Sequence, residues 1–296
     1  MSRVPHAVED ASADALDGTA PRALVLVGHP VAHSLSPRFQ QAALDAAGLG
    51  VHYVARDVEP AALAAFLRTA RAEGVAGNVT IPHKEAVAVA CDRLTAIARR
   101  AGAVNTFGID AAGRLVGHNT DVAGATRAIR AVGDVANTHV VVLGAGGSAA
   151  AVLLALEALG AARITLSARS PERARALVTR IAPAMPVRVC AHDALAPDEL
   201  ADASLVVNST PLGLRDGDPF PVAPDALAPA GAALDLVYRA GETAWVRAVR
   251  ASGRRAEDGL RMLVEQGAAA FAWWFGVAPD RQAMWSVLEP RGTVPA

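Results

Sequence analysis

His139-Val140-Val141-Val142-Leu143-Gly144-Ala145-Gly146-Gly147-Ser148-Ala149 is an apolar run, a glycine turn and the opening of a second apolar stretch that lasts to Leu159. The first run has the length of a buried strand, His139–Leu143, and the second that of a helix, Ser148–Leu159. Between them the spacing is G-x-G-x-x-A. One glycine permits the tight turn, the next lets the backbone approach a pyrophosphate, and the small Ala149 lets helix and strand pack closely. The N–H groups at the helix start then face the phosphates. Glycine turns also join strands to helices where no nucleotide binds, so the strand–turn–helix context carries the reading.

Outward from this turn the rhythm continues. A strand Arg163–Ser167 leads to Ala168-Arg169-Ser170-Pro171-Glu172-Arg173 and a helix Glu172–Ile181. NAD would need a carboxylate there for its ribose 2′-hydroxyl. Two arginines around a hydroxyl suit the 2′-phosphate of NADP instead, although they equally fit a solvated helix start. Strands Val187–Cys190, Leu205–Asn208 and Ala232–Val237 complete a parallel α/β unit of the dinucleotide-binding, Rossmann type.

Toward the N-terminus lies a second βαβ series. Ala23–Val27 reads as a buried strand, and Ser36 as an N-cap before Pro37, opening a helix to about Ala47. Val51–Val58 and Val75–Thr80 read as strands around a helix Ala61–Ala72, with Pro82 as a stop. One helix is expected over Lys84–Ala101, then a hairpin of Val104–Ile109 and Leu115–His118 through Asp110-Ala111-Ala112-Gly113. Leu260–Leu288 is helical and rich in large apolar side chains, so it packs back on the body. The expected organisation is two open α/β domains: a loose tail over 1–20, a first domain over 21–121, a dinucleotide domain over 122–258 and returning helices over 259–296.

Composition removes several classes of function. Of 296 residues, 52% are hydrophobic and 19% charged, which is the balance of a folded globular chain. Basic and acidic residues number 28 and 29, so no cationic surplus exists to hold nucleic acid or anionic lipid. Val140–Leu156 is apolar but broken by glycines and Ser148, unlike a membrane span. Residues 1–19 lack the basic start and apolar run of a secretory signal. Cys91 and Cys190 stand in no CxxC or metal-ligand spacing, which points to a reduced, cytoplasmic, metal-free protein.

Twenty-seven of the basic residues are arginine and Lys84 is the one lysine. Lysine, unlike arginine, loses its proton in a suitable environment, so its retention here suits proton chemistry, though a helix surface would hold it as well. In Asn78-Val79-Thr80-Ile81-Pro82-His83-Lys84 a strand ends at the sheet's carboxyl edge, where open α/β sheets bind ligands. Asn119-Thr120-Asp121 precedes a helix, where Asp121 also fits a cap. Four of the five asparagines (Asn78, Asn105, Asn119 and Asn208) fall at strand-to-loop junctions, and amides and hydroxyls there suit a polyhydroxylated small molecule.

These stretches resemble the shikimate dehydrogenase family over nearly the whole chain after the tail. The matching segments are Gly28–Pro37 (GHPVAHSLSP), Gly77–Lys84 (GNVTIPHK), Ala101–Thr106 (AGAVNT), Gly117–Asp121 (GHNTD), Gly144–Gly147, Asn208–Gly213 (NSTPLG), Asp235–Tyr238 (DLVY) and Met262–Gln266 (MLVEQ). The resemblance implies a substrate carboxylate held by Ser34, Ser36 and Tyr238. Thr80, Asn105 and Gln266 would bind ring hydroxyls, and Lys84 with Asp121 would form the catalytic pair. Gly144, Ala145, Gly146, Gly147 and Ser148 would cradle the pyrophosphate, Arg169, Ser170 and Arg173 the 2′-phosphate, and Leu236 and Gly259 would border the nicotinamide. Ala168 replaces an asparagine usual in the family and removes a polar contact near the adenosine. Gln41 replaces an asparagine and Ala240 a proline.

The activity so implied is reversible NADPH-dependent reduction of 3-dehydroshikimate to shikimate, by a cytoplasmic monomer or homodimer without metal. Quinate or an aminoshikimate as substrate, or a silent regulator binding NADP and shikimate, would keep most of these residues. Reducing a ring ketone needs a proton donor, which falls to Lys84. The substrate is expected in a cleft between the two α/β units.

Overall fold

The computed structural model describes residues 16–17, 20–239 and 241–288. The tail expected over 1–20 and the Ala240 departure lie outside them, apart from Leu16, Asp17 and Ala20. The chain divides into two compact units, one reaching Thr120 and resuming at Gln266, the other Asp121–Glu265.

The first unit begins with β1 (Ala23–Gly28), α1 (Ser36–Ala46), β2 (Tyr53–Asp57), α2 (Leu63–Glu73), β3 (Val75–Val79), α3 (Lys84–Ala90), β4 (Arg93–Leu94), α4 (Ala96–Ala101), β5 (Thr106–Ile109) and β6 (Leu115–His118). Its sheet runs β2-β1-β3-β5-β6-β4. β1 lies between β2 and β3, parallel to both, which is why Leu24–Val27 is apolar without alternation and wholly buried. β5 is antiparallel to β3 and to β6. The carboxyl ends of β1, β3 and β6 and the amino end of β5 therefore share one edge. Val25, Val27, Leu63, Leu67, Val79, Val87, Val104 and Phe107 form the core beneath it.

The structure departs from two local expectations. Ser36 is the first helical residue of α1 and not its cap, because the Ser34 hydroxyl accepts the Ser36 N–H at 3.2 Å and closes a two-residue turn ahead of the helix. The helix expected over Lys84–Ala101 is two helices. Arg93–Leu94 pairs with β6, Asp92 accepts the Leu115 N–H at 2.7 Å, and Thr95 caps α4 by accepting from Ala98 N at 3.3 Å. Alanine-rich sequence carries helix propensity, but strand pairing and a threonine cap outweigh it locally.

The second unit holds α5 (Asp121–Val132), β7 (His139–Leu143), α6 (Gly147–Ala158), β8 (Arg163–Ala168), α7 (Pro171–Ile181), β9 (Val187–Ala191), α8 (Pro197–Asp202), β10 (Leu205–Asn208), β11 (Ala232–Asp235), α9 (Ala244–Ala251) and β12 (Arg255–Glu257). Its six strands are all parallel in the order β12-β11-β10-β7-β8-β9. The winding reverses between β7 and β10, so the crevice of this sheet opens beyond Leu143 and Asn208. α8, α9 and β12 were not legible in sequence, being short and set in alanine-rich surroundings. α10 (Gly259–Phe275) starts in this unit and belongs to the first from Gln266, followed there by α11 (Arg281–Ser286). Trp274 donates to the Phe107 carbonyl at 3.1 Å and Trp273 stacks on His118, which seats this return on the first sheet.

At the opposite edge of the second sheet, His139 is 5% exposed and donates to or accepts from Thr165 Oγ1 at 3.0 Å. Its Nδ1 lies 3.2 Å from Asp202 without hydrogen-bonding alignment. Burial, aided by Arg163, holds this imidazole below its usual pKa despite Asp202. The unfolded chain takes up this proton near pH 6.5 and the folded chain only lower, so the contribution to stability is complete above about pH 6.5 and declines below it. His139→Gln is expected to flatten the fall of Tm between pH 7 and 5. Equal slopes in melts of both proteins would contradict this.

Among the described residues no helix is long and apolar enough to cross a membrane. No group of three or more His, Cys, Asp or Glu among them is placed to hold a metal ion.

Candidate active site

In the first unit the shared strand edge gathers Ser34, Ser36, Thr80, Lys84, Asn105 and Thr120, with Gln266 from α10. The loops after β1 and β3 are tied together by Thr80 N to Val27 O at 2.8 Å and His29 N to Ile81 O at 3.0 Å. Lys84 opens α3 half-buried, and its carbonyl accepts Val104 N at 2.9 Å, which fixes α3 to the entrance of β5. Asn105 is 2% exposed. Its side chain accepts Thr120 N at 2.7 Å and donates to Thr120 Oγ1 at 2.9 Å and to Gln266 Oε1 at 3.2 Å.

Gln266 is held in place from behind. Gln40 of α1 donates to the Gly267 carbonyl at 3.0 Å, and a Cβ on Gly267 would stand 2.3 Å from Phe39 Cε2. Only a glycine lets α10 approach α1 so closely. Gln41 accepts Tyr53 N at 2.9 Å and so anchors the start of β2.

Asn78, Asn119 and Asn208, expected where a ligand could be met, are all three buried with protein partners. Asn78 bridges Tyr53, the Asn105 carbonyl and Thr106, while Asn119 donates to Ala103 O at 2.9 Å. Tyr53, Thr106 and Thr120 were not singled out from sequence. The one signal for Tyr53 is rarity, since the chain has two tyrosines.

In the second unit Gly144 has φ +103°, and a Cβ there would meet Ser209 Oγ at 2.7 Å. This close approach seals the switch point of the sheet. A side chain on Gly146 or Gly147 would instead enter open space, and Gly146 caps α6 without a side-chain hydrogen bond. Open volume in front of uncapped helix N–H groups fits a pyrophosphate. At the end of β8, Ala168 is buried and Arg169 and Arg173 are exposed. Neither guanidinium has a partner among the described residues. Ser170 caps α7, accepting Arg173 N at 3.4 Å and donating to Glu172 at 3.2 Å. The Glu172 carboxyl is held below its usual range by its own N–H and the Ser170 hydroxyl. This set fits a phosphorylated ribose.

Asp121 begins α5 and is 6% exposed. Leu236 and Tyr238 follow β11, and Gly259 N donates to Val237 O at 3.0 Å. Behind them Asp235 is fully buried, with no cationic partner among the described residues, and accepts from Asn208 Nδ2 at 2.8 Å, Val237 N at 3.1 Å and Thr243 Oγ1 at 2.7 Å. Burial raises its pKa while these three donors oppose the rise. The loops after β10 and β11 are thereby pinned to one side chain.

A parallel sheet with a glycine turn at its switch point, and an α/β unit that collects a lysine, hydroxyls and amides at one edge, define a nucleotide-dependent oxidoreductase of two α/β domains. Three family descriptions match in order: "Shikimate dehydrogenase substrate binding domain" over residues 26–107, "Shikimate / quinate 5-dehydrogenase" over 126–212, and "Shikimate 5'-dehydrogenase C-terminal domain" over 259–289. Shikimate dehydrogenase (NADP(+)) of Rubrobacter xylanophilus is 44% identical over 271 residues, covering 90% of this chain and 95% of the relative. That of Symbiobacterium thermophilum is 45% identical over 263 residues, covering 86% and 89%. The crystal structure of Thermus thermophilus shikimate 5-dehydrogenase with NADP(H) and shikimate superposes with a TM-score of 0.80 at 37% identity, covering 90% of this chain and 98% of that one. The chain belongs to the shikimate dehydrogenase family.

Proposed function

We propose that this chain catalyses the reversible NADPH-dependent reduction of 3-dehydroshikimate to shikimate. The observation that carries the reading is the edge of the first sheet, which takes Thr80 and Lys84 from one stretch after β3, Asn105 from the entrance of β5 and Gln266 from α10. Such a set suits a polyhydroxylated ring bearing a ketone, with Thr80, Asn105 and Gln266 on the hydroxyls. Ser34, Ser36 and Tyr238 offer hydroxyl donors to a carboxylate. Gly144 to Ser148 hold the pyrophosphate of NADP, Arg169, Ser170 and Arg173 its 2′-phosphate, and Leu236 and Gly259 line the nicotinamide. The bound cofactor supplies the hydride. Lys84 gives the ketone oxygen its proton, and Asp121 is the carboxylate of the catalytic pair. In this reading residues 21–121 bind substrate, 122–258 bind cofactor and the returning helix contributes Gln266.

The charge balance supports a small-molecule substrate and no nucleic-acid partner, and the two separated cysteines support a cytoplasmic protein; a monomer or homodimer completes the proposal. Initial rates of the purified chain over shikimate and quinate, each with NADP+ and NAD+, test the proposal. The largest kcat/KM is expected for shikimate with NADP+. A larger value for quinate would reassign the substrate, and binding of NADP+ and shikimate with no change at the reduced-nicotinamide absorbance band would sink the enzymatic reading.

A further inference from the structure

Just past the end of β8, in the stretch Arg169–Arg173 proposed for the 2′-phosphate, the Ser170 hydroxyl already has an anionic partner. A serine carries one side-chain hydrogen, and here it is donated to Glu172 Oε2 at 3.2 Å. The Ser170 oxygen meanwhile accepts the Arg173 N–H at 3.4 Å and caps α7. A phosphate oxygen bound to this hydroxyl needs the same hydrogen, so carboxylate and phosphate exclude each other at this atom. Glu172 cannot relieve the conflict by becoming a donor. Hydrogen bonds from its own N–H and from Ser170 hold its carboxyl below the usual range, which keeps it ionised at neutral pH.

Little else occupies that carboxylate. Its other oxygen, Oε1, lies 3.9 Å from Arg175 Nη1, beyond hydrogen-bond distance, and the side chain is 81% exposed. One fixed negative charge thus shares a five-residue stretch with the two arginines, and an incoming phosphate adds between one and two more. We infer that Glu172 is a specificity-determining residue, an internal carboxylate that holds the Ser170 hydroxyl until the 2′-phosphate of NADP displaces it. The inference rests on the cofactor site proposed above. NAD carries a neutral ribose hydroxyl at this point, which binds with the carboxylate in place and can donate to it. Glu172 therefore narrows the preference for NADP over NAD that the arginines create.

Calorimetric titration of Glu172→Gln with NADP+ and with NAD+, which differ only in the 2′-phosphate, tests it. The Kd for NADP+ is expected to fall about 3- to 10-fold and the Kd for NAD+ not to fall, so the ratio of the two widens. In a Ser170→Ala background the gain is expected to be smaller, because the contested hydrogen is gone. A purely capping role would lower Tm slightly, through the lost negative charge in the first turn of α7, and leave the ratio alone. Glu172→Ala removes the carboxylate outright and provides a second variant with the same expected direction if Glu172→Gln does not fold. An unchanged or smaller ratio in a folded variant, or an equal gain in the Ser170→Ala background, overturns the inference, while a wild-type preference for NADP+ leaves the cofactor site standing. A wild-type chain that binds both cofactors equally overturns the cofactor site and the inference together, and is recognised before any variant is made.

Discussion

Lys84→Ala is expected to lower kcat for shikimate oxidation by about 100- to 10,000-fold, the range a positioned acid–base group contributes. Lysine occurs once among 28 basic residues, and that one opens α3 at the edge where β1, β3 and β6 end. Its backbone is fixed by Val104, so the side chain starts from a defined point. Lys84→Arg keeps the positive charge but brings a bulkier planar fork that does not release its proton, and a similarly severe loss is expected. Affinity for NADP+, measured by fluorescence titration, is expected to stay within a few-fold in both variants. If Lys84 and Asp121 act as one catalytic unit, Lys84→Ala with Asp121→Asn loses much less than the product of the single losses. Turnover near wild type in Lys84→Ala would remove the proposed mechanism.

Replacing Arg169 and Arg173 together by alanine is expected to raise the KM for NADP+ by about 30- to 1,000-fold and to move the KM for NAD+ only a few-fold. Hydrogen bonds to a charged group contribute about 1.5–3 kcal/mol each, and solvent screening of two exposed guanidiniums favours the lower end. Both stand at the carboxyl end of β8 beside Ser170, and neither is engaged by another described residue. Ser170 shares its hydroxyl with the α7 cap and Glu172, so the arginines carry most of the discrimination. Rates for both cofactors at low and high salt would check this. A parallel loss with NAD+ would show that the two residues support the fold and not the phosphate.

The glycine turn, the parallel strands beside it and the edge position of Lys84 were legible because each depends on residues close in the chain. Gly144-Ala145-Gly146-Gly147 needs only a preceding strand and a following helix to become a phosphate cradle. The strand cores of β1 and β7 announce burial by apolarity alone. The polar residues were legible in place but not in role. Asn78 and Asn208 are marked by rarity and by position at strand ends, yet both are occupied by their own protein, one organising β3 and β5, the other the loops after β10 and β11. The helix over Lys84–Ala101 shows the converse, since its local preference was helical and a partner strand at Val116 and Gly117 broke it.

By itself the amino-acid order determined two α/β units, a dinucleotide turn and a single candidate for proton transfer, because apolar periodicity, glycine spacing and side-chain ionisation act over a few residues. Only the tertiary structure decided how the site is oriented. The direction of the Gln266 amide depends on Asn105, 161 residues away, whose own amide is turned by the Thr120 N–H. A hydrogen bond takes its direction from the partner it meets, and those partners become neighbours only after the sheet has formed and α10 has returned to it.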